Sequence, residues 1–158
     1  MIDKKILNNL ANALKQKKLT IATAESATGG LIASSLTNIS GSSDYFDRGL
    51  VTYSNRAKIE MLGVIESDSE NYGAVSKIVA KEMAEGARIK SDVDIAISTT
   101  GIAGPTGGTK EKPVGTVFIG FSSKEKTIAK KFQFKENRLE NKEMFCNAAI
   151  KMLLENIR

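Results

Sequence analysis

The chain has 158 residues, 41% hydrophobic and 26% charged, which is typical of one globular domain. It contains no histidine and one cysteine, which excludes a Ser-His-Asp triad and an intramolecular disulfide. The formal net charge is +5, and we interpret the excess lysines as a solvated surface, with no nucleic-acid partner.

The start of the chain predicts a cytoplasmic protein with no membrane partner. Residues 1–18 are amphipathic, with spaced apolar residues rather than the continuous apolar core of a signal peptide. No run of ~18 apolar residues occurs anywhere, so no membrane span is predicted.

Apolar periodicity predicts helices that alternate with strands and then strands that pair directly. Helical spacing favours helices over residues 3–18, 31–36, 55–62 and 76–89, with a final helix carrying an apolar stripe from 145 to 157. Strands are predicted over 19–24, 46–53, 93–100, 114–122 and 127–134. The polar turn at 124–126 makes the last two strands an antiparallel hairpin. We therefore predict an α/β fold, a three-layer α/β/α sandwich with a mixed sheet, built as a single domain by residues 1–158.

The first candidate site is the segment Thr23–Gly30, where the first strand gives way to a helix. Ser26 lies at this junction, and a helix N-terminus offers unpaired N–H groups that hold a phosphate or stabilise an oxyanion. From these residues alone, the simpler interpretation is that Ser26 or Thr28 caps the helix.

The second candidate is the loop Gly101–Gly115, which contains five of the 13 glycines and both prolines. A loop of this length inside a compact domain is more typical of a ligand-binding segment than of a plain connection, although a hairpin that needs tight turns is the alternative. The segment contains neither a Walker A motif nor a GxGxxG motif.

The third candidate pairs Tyr53, at the end of a strand, with Lys58 on the following helix. In isolation both are ordinary surface residues. Because the chain lacks histidine, a nucleophilic Ser26 needs a lysine, tyrosine or carboxylate as its base. Lys58 fits this role if burial, or a neighbouring cation such as Arg56, lowers its pKa. Cys146 is interpreted as a packing residue, and the acidic residues show no metal-ligand spacing.

Several ordered segments together resemble the CinA C-terminal domain family over almost the whole chain. They are Thr23–Gly30, Gly49–Asn55, Lys58 with Leu62–Val64, Gly73–Ser76, and Thr100–Val117. Members of this family include nicotinamide mononucleotide amidohydrolases (deamidases), which belong to NAD salvage and the pyridine nucleotide cycle. The resemblance implies hydrolysis of the carboxamide of nicotinamide mononucleotide, without cofactor or metal. Two alternatives stay open: a non-catalytic nucleotide-binding module, and a Ser-Lys amidase with another substrate.

The resemblance also implies which residues act. It assigns the nucleophile to Ser26, the base to Lys58 and a bridging, proton-passing role to Tyr53. Substrate or oxyanion binding falls on Thr28, Gly29 and Gly30 at the helix start, on Thr100, Gly101, Ile102, Ala103 and Gly104, and on Arg138 before the last helix. Two positions depart from the family pattern. Ala27 stands where a cysteine is frequent, and Lys142 replaces a second arginine whose planar fork a lysine cannot reproduce.

The family resemblance implies two further expectations. Larger members carry an extra N-terminal domain similar to molybdopterin-binding proteins, and we expect neither that domain nor its pyrophosphatase activity here. Small members are often dimers or larger, so a homo-oligomer is predicted, with a nucleotide as the small-molecule partner.

Overall fold

A five-stranded mixed sheet forms the centre of the molecule. The computed structural model describes residues 1–158, with strands β1 Ile21–Glu25, β2 Phe46–Val51, β3 Ile95–Gly101, β4 Thr116–Ser122 and β5 Thr127–Gln133. The strand order is β2-β1-β3-β4-β5, and β1 is parallel to both β2 and β3. The other two pairings, β3 with β4 and β4 with β5, are antiparallel. The predicted mixed sheet and the terminal hairpin are thus confirmed.

Six helices cover the two faces of the sheet. They are α1 Lys4–Lys17, α2 Leu31–Thr37, α3 Asn55–Leu62, α4 Glu66–Tyr72, α5 Lys77–Ser91 and α6 Arg138–Ile157, with a 3-10 turn at Ser42–Asp44. Helices α1, α2 and α6 pack together on one face, whereas α3, α4 and α5 lie on the other. This arrangement confirms the predicted three-layer α/β/α sandwich. No helix combines the length and the apolar character that a membrane span requires.

Each face of the sheet has its own apolar core because successive strand side chains point to opposite sides. Ile95 and Ile97 of β3 face the larger core under α1, α2 and α6. Ala96, between them in sequence, faces the smaller core formed with α3 and α5. Phe145 and Ile119 are fully buried in the larger core.

Local signals in the sequence explain where several helices begin and end. The Ser76 hydroxyl accepts a hydrogen bond from the Val79 N–H and caps α5, as predicted. Gly63 ends α3 in the left-handed conformation (φ 71°). Helix α4 was not predicted, because its residues ESDSENY carry no apolar stripe and none of them is buried.

Candidate active site

The carboxyl ends of the parallel strands meet at one edge of the sheet, where sites form in α/β folds. Ser26 directly follows β1, Tyr53 follows β2 after one intervening residue, and the glycine loop begins where β3 ends. Arg138, expected before the last helix, is the first residue of α6 and reaches the same edge. This edge therefore brings together segments that are far apart in sequence.

The central feature of this edge is a contact between Lys58 and Ser26. Lys58 Nζ lies 3.1 Å from Ser26 Oγ and donates a second hydrogen bond to the Tyr53 backbone carbonyl at 3.3 Å. Lys58 is 2% exposed and Ser26 8% exposed, and no carboxylate forms an ion pair with the lysine. Burial lowers the pKa of Lys58 below its ordinary value because the charged ammonium loses its hydration. The predicted serine–lysine pairing is thus present in the structure.

The position at which α3 begins determines the direction of the Lys58 side chain. The Ser54 hydroxyl accepts from the Ala57 N–H, so the helix begins one turn before Lys58. Helical side chains lean towards the N-terminus, which directs Lys58 back over the Tyr53 carbonyl and towards Ser26. Arg56 does not contribute to the lowered pKa: its exposed guanidinium binds Glu60, and burial is the sole cause of the shift.

Tyr53 occupies a different position from the predicted bridge. Its ring is 63% exposed, and its hydroxyl accepts a hydrogen bond from Arg138 Nη2 at 3.3 Å, with none to Ser26 or Lys58. Only the backbone carbonyl of Tyr53 touches the lysine. Arg138 also donates through Nη1 to the Gly104 carbonyl at 2.6 Å, so it connects α6 to two other segments of this edge.

Helix α2 is capped by a residue that the sequence analysis did not single out. The Glu25 side chain, 1% exposed, accepts hydrogen bonds from the N–H groups of Gly30, Ile32 and Ala33. Neither capping interpretation, through Ser26 or Thr28, is therefore right. The first N–H groups of the helix are occupied by Glu25, which leaves them unavailable for the predicted oxyanion.

The turn between Ser26 and α2 provides other donors. The N–H groups of Ala27 and Thr28 have no acceptor within the protein, and Ala27 lines the adjacent pocket. Gly29 and Gly30 have φ of 59° and 101°, conformations that glycine adopts without strain and that let the chain turn tightly before α2. The Ala27 N–H is accordingly a free donor on the residue that follows the serine.

The Thr28 side chain is structural. Thr28 is fully buried, and its hydroxyl donates to Glu25 Oε2 at 2.6 Å and lies 2.8 Å from Thr99 Oγ1. Thr100, also buried, donates to the Ala74 carbonyl at 2.7 Å. Both hydroxyls are therefore engaged within the protein.

A pocket of about 280 Å³ opens beside Ser26. Its lining consists of Ala27, Tyr53, Gly101–Gly104, Thr106, Gly107 and Arg138. Asn141 on α6, fully buried, donates to the Ala103 carbonyl at 3.0 Å and holds the glycine loop in place. Asn141 could not be predicted from the sequence, because a single asparagine in an apolar helix carries no motif.

Two cations near the pocket have no carboxylate partner. Arg138 lines the pocket, whereas the Lys142 ammonium lies close to Gly29 of the neighbouring turn, where a Cβ would come within 3.7 Å of Nζ. Neither residue takes part in an ion pair. Their separation by four residues places both on the same face of α6. Arg138 therefore gives the pocket an unpaired positive charge, and Lys142 adds a second one at the neighbouring turn.

Other reactive groups lie elsewhere or are inert. Cys146 is fully buried beneath α2, where burial raises the pKa of its thiol to about 12. No three His, Cys, Asp or Glu side chains are grouped so as to hold a metal ion. Four larger cavities, of about 610, 530, 480 and 400 Å³, have none of the site residues in their lining.

The fold and the buried serine–lysine pair first define a class: an α/β protein with a buried Ser26–Lys58 contact at the carboxyl edge of a mixed sheet. Comparison with known proteins then identifies the family. The family model described as the CinA C-terminal domain matches residues 3–157, and the chain belongs to this family. The resemblance read from the sequence is confirmed.

Curated relatives are longer proteins. The CinA-like protein of Salinibacter ruber is 52% identical over 141 residues, which cover 89% of this chain and 34% of the relative. The CinA-like protein of Chlorobaculum tepidum is 51% identical over 154 residues, covering 94% of this chain and 36% of the relative. The chain thus spans about a third of the length of these relatives.

Solved structures share the whole fold. The competence/damage inducible protein CihA from Agrobacterium tumefaciens superposes with a TM-score of 0.91 at 39% identity, covering 98% of this chain and 97% of that one. A CinA superfamily protein from Klebsiella pneumoniae superposes with a TM-score of 0.93 at 29% identity, covering 97% and 96%. The α/β architecture is therefore that of the family.

Proposed function

We propose that this chain hydrolyses the carboxamide of nicotinamide mononucleotide to nicotinate mononucleotide and ammonia. One observation carries the proposal: the buried Lys58 amine, with no carboxylate partner, lies 3.1 Å from Ser26 Oγ. A lysine with a lowered pKa is neutral in a larger fraction of molecules, and a neutral amine can accept the proton of a serine hydroxyl. The pair is therefore arranged for nucleophilic catalysis without histidine.

In the acylation step, Ser26 Oγ attacks the amide carbon while its proton passes to Lys58 Nζ. The carbonyl oxygen becomes an oxyanion, which the Ala27 N–H stabilises. The Lys58 ammonium then protonates the amide nitrogen, the C–N bond breaks and ammonia leaves. The nicotinoyl group remains on Ser26 as an ester.

In the deacylation step, water takes the place of the departed ammonia. Lys58, neutral again, accepts a proton from the water as its oxygen attacks the ester carbon. The ester bond then breaks, Ser26 Oγ regains a proton from Lys58, and nicotinate mononucleotide is released. Throughout the cycle the Tyr53 carbonyl holds the lysine amine in place.

The charge of the pocket supports a phosphorylated substrate. Arg138 in the pocket lining and Lys142 beside Gly29 have no carboxylate partner, so a phosphate group would supply the missing negative charge. In this proposal the backbone of Gly101–Gly104 contacts the ribose, and the pyridine ring extends inwards towards Ser26. Arg138 then exchanges its hydrogen bond with Tyr53 for one with the phosphate.

Ammonia release from the purified protein tests the proposal against its two alternatives. The protein is incubated with nicotinamide mononucleotide, nicotinamide and NAD, and Ser26→Ala serves as the control. We expect ammonia and nicotinate mononucleotide in equal amounts from the first substrate only, with Ser26→Ala below a tenth of the wild-type rate.

Other outcomes point to the alternatives. Release of ammonia from a different amide alone would favour a Ser-Lys amidase with another substrate. Tight binding of nicotinamide mononucleotide without any ammonia would favour the nucleotide-binding module. The buried, unpaired lysine argues against that module, because phosphate binding does not require a desolvated amine next to a serine.

A further inference from the structure

We propose that Glu25 is a positioning residue that holds Ser26 and the Ala27 N–H in their reactive arrangement. This inference rests on the proposed serine mechanism and extends it to a residue that never touches the substrate. Glu25 immediately precedes Ser26, is 1% exposed, and engages both of its carboxylate oxygens. A buried carboxylate costs a large desolvation free energy, so its retention requires a set of fixed donors.

The donors of Glu25 surround the turn that carries the nucleophile. Oε2 accepts from the Thr28 hydroxyl at 2.6 Å and from the N–H groups of Gly30 and Ile32 at 3.1 and 3.0 Å. Oε1 accepts from the Ala33 N–H at 2.8 Å. The residue before Ser26 is thereby fastened to residues on the far side of the turn, which fixes the path of the chain between them.

A second set of contacts fastens the turn to the neighbouring strand. Because the Thr28 hydroxyl donates its one hydrogen to Glu25, the Thr99 hydroxyl must be the donor in the 2.8 Å contact between the two threonines. The backbone carbonyl of Thr99 also accepts from the Ser26 N–H at 3.0 Å. Ser26 therefore lies in a hydrogen-bond network in which Glu25 connects α2, the turn and β3.

This hydrogen-bond network explains why an acidic residue, Glu25, precedes the nucleophile Ser26. Glu25 occupies the N–H groups at the start of α2, so no water or anion competes for them. The Ala27 N–H is left as the free donor next to Ser26. Glu25 does not act as a base, since its oxygens already accept four hydrogen bonds from the turn and the helix.

The test is Glu25→Gln, which keeps the side-chain volume and one oxygen but places an NH₂ group against an N–H donor. A displacement of the nucleophile by about 1 Å costs about 100-fold in rate. We expect the acylation rate constant per reactive site to fall about 100-fold, while the KM for nicotinamide mononucleotide changes less than about threefold.

Acylation is measured with p-nitrophenyl acetate, whose nitrophenolate burst counts the reactive serines and gives the rate constant of each. Ser26→Ala, which must give no burst, sets the background. Asp3→Ala is the matched control, because Asp3 caps α1 through the N–H groups of Lys5 and Ile6 far from the site. We expect this control to lower the melting temperature and leave the rate constant of each site unchanged.

The burst separates positioning from a merely structural role. If Glu25→Gln lowered the melting temperature or the burst amplitude but kept the rate constant per site within about threefold, the proposal would be overturned. If this variant does not fold, Thr28→Val carries the same test, since it removes one donor from the carboxylate and keeps the volume. It should lower the rate constant in the same direction by a smaller factor, and an unchanged value would overturn the proposal.

The two proposals fail in different ways. A wild type that reacts with the ester but releases no ammonia from nicotinamide mononucleotide contradicts the proposed substrate and leaves the test of Glu25 intact. A wild type that neither reacts with the ester nor releases ammonia from nicotinamide mononucleotide contradicts Ser26 as a nucleophile, and the role of Glu25 falls with it.

Discussion

Lys58 carries an amine in an environment that disfavours a positive charge. It is 2% exposed, it has no carboxylate partner, and burial lowers its pKa. Below that pKa the amine is protonated and cannot act as a base, so the acylation rate should rise with pH through the lowered pKa and then reach a plateau. The single-turnover pH–rate profile with nicotinamide mononucleotide measures this rise directly.

Two variants of Lys58 separate its basicity from its charge. Lys58→Met keeps most of the stem, removes the amine, and should slow acylation by about 10²–10⁴-fold while abolishing the rise with pH. Lys58→Arg keeps a positive charge that stays protonated, so it should restore little. Most of the activity surviving in Lys58→Arg would mean that the residue is an electrostatic contact and that the base lies elsewhere.

The same lysine should make the free energy of unfolding depend on pH. Between its lowered folded-state pKa and its ordinary value, the unfolded chain binds more protons than the folded chain, so stability rises as pH rises through that window. Lys58→Met removes this group and should stabilise the protein most at pH values below the window. Urea unfolding of both proteins at several pH values checks the prediction, and a difference independent of pH would contradict it.

The sequence could predict the positions of Ser26 and Lys58 but not all of their contacts. Strand and helix ends place residues 26, 53 and 58 at one edge, because parallel strands end on the same side of a sheet. The orientation of the Tyr53 hydroxyl depends on Arg138, which lies 85 residues away in the chain. Glu25 was missed because its donors belong to residues whose arrangement only the folded turn creates.

At the scale of elements, the contact between α3 and α5 sets the position of the lysine. Gly86 of α5 lies against the end of α3, so close that a Cβ there would fall 1.8 Å from the Leu62 carbonyl oxygen. Helix α3 carries Lys58, so this contact influences the distance between the lysine and Ser26. A side chain at position 86 would force the two helices apart.

Gly86→Ala should therefore destabilise the protein, against the usual preference for alanine in helices. Propensity alone would favour alanine by about 1 kcal/mol. Overpacking in a filled site costs about 1–3 kcal/mol or more, and here the obstacle is backbone, which cannot turn aside. We expect a melting temperature lower by several degrees and slower acylation, measured by calorimetry and by the ester burst.

Glu85, the exposed neighbour of Gly86 on α5, provides the control for Gly86→Ala. Glu85→Ala changes propensity without filling a contact and should shift the free energy of unfolding by no more than about 0.5 kcal/mol. A higher melting temperature for Gly86→Ala than for the wild type would show that α3 and α5 are not packed as described.

The elements that could be predicted are those with an apolar pattern or a cap. The strands, α5 with its Ser76 cap and the end of α3 at Gly63 all have such signals. Helix α4 has none, because it lies on the outside of α5 and buries no side chain. Its formation depends on the two elements that flank it rather than on its own residues.

At the scale of the whole molecule, part of the net charge of +5 comes from residues that lie far from the pocket. The lysines of the turn at 123–126 follow Ser122, which pairs with Ala96 at the start of β3, whereas the site lies beyond the end of β3. These lysines are thus at the opposite edge of the sheet. Arg138, by contrast, lines the pocket itself, and Lys142 lies beside Gly29 of the neighbouring turn.

We expect salt to weaken substrate binding through these two local cations. The Debye length falls from about 10 Å at 0.1 M salt to about 3 Å at 1 M, which screens exposed charges from a phosphate. The KM for nicotinamide mononucleotide should rise with salt while kcat stays nearly constant. The KM for nicotinamide riboside, which lacks the phosphate, should be higher and nearly independent of salt.

A matched pair of variants tests which positive charge causes the salt dependence of the KM. Arg138→Met and Lys124→Met each remove one positive charge, the first at the pocket and the second at the opposite edge. Arg138→Met should raise the KM for the nucleotide at low salt and flatten its salt dependence, because a fixed guanidinium pairs with phosphate oxygens at short range. Lys124→Met should leave both nearly unchanged. Equal effects of the two variants would mean that the overall charge of the molecule attracts the substrate and that Arg138 makes no specific contact with the phosphate.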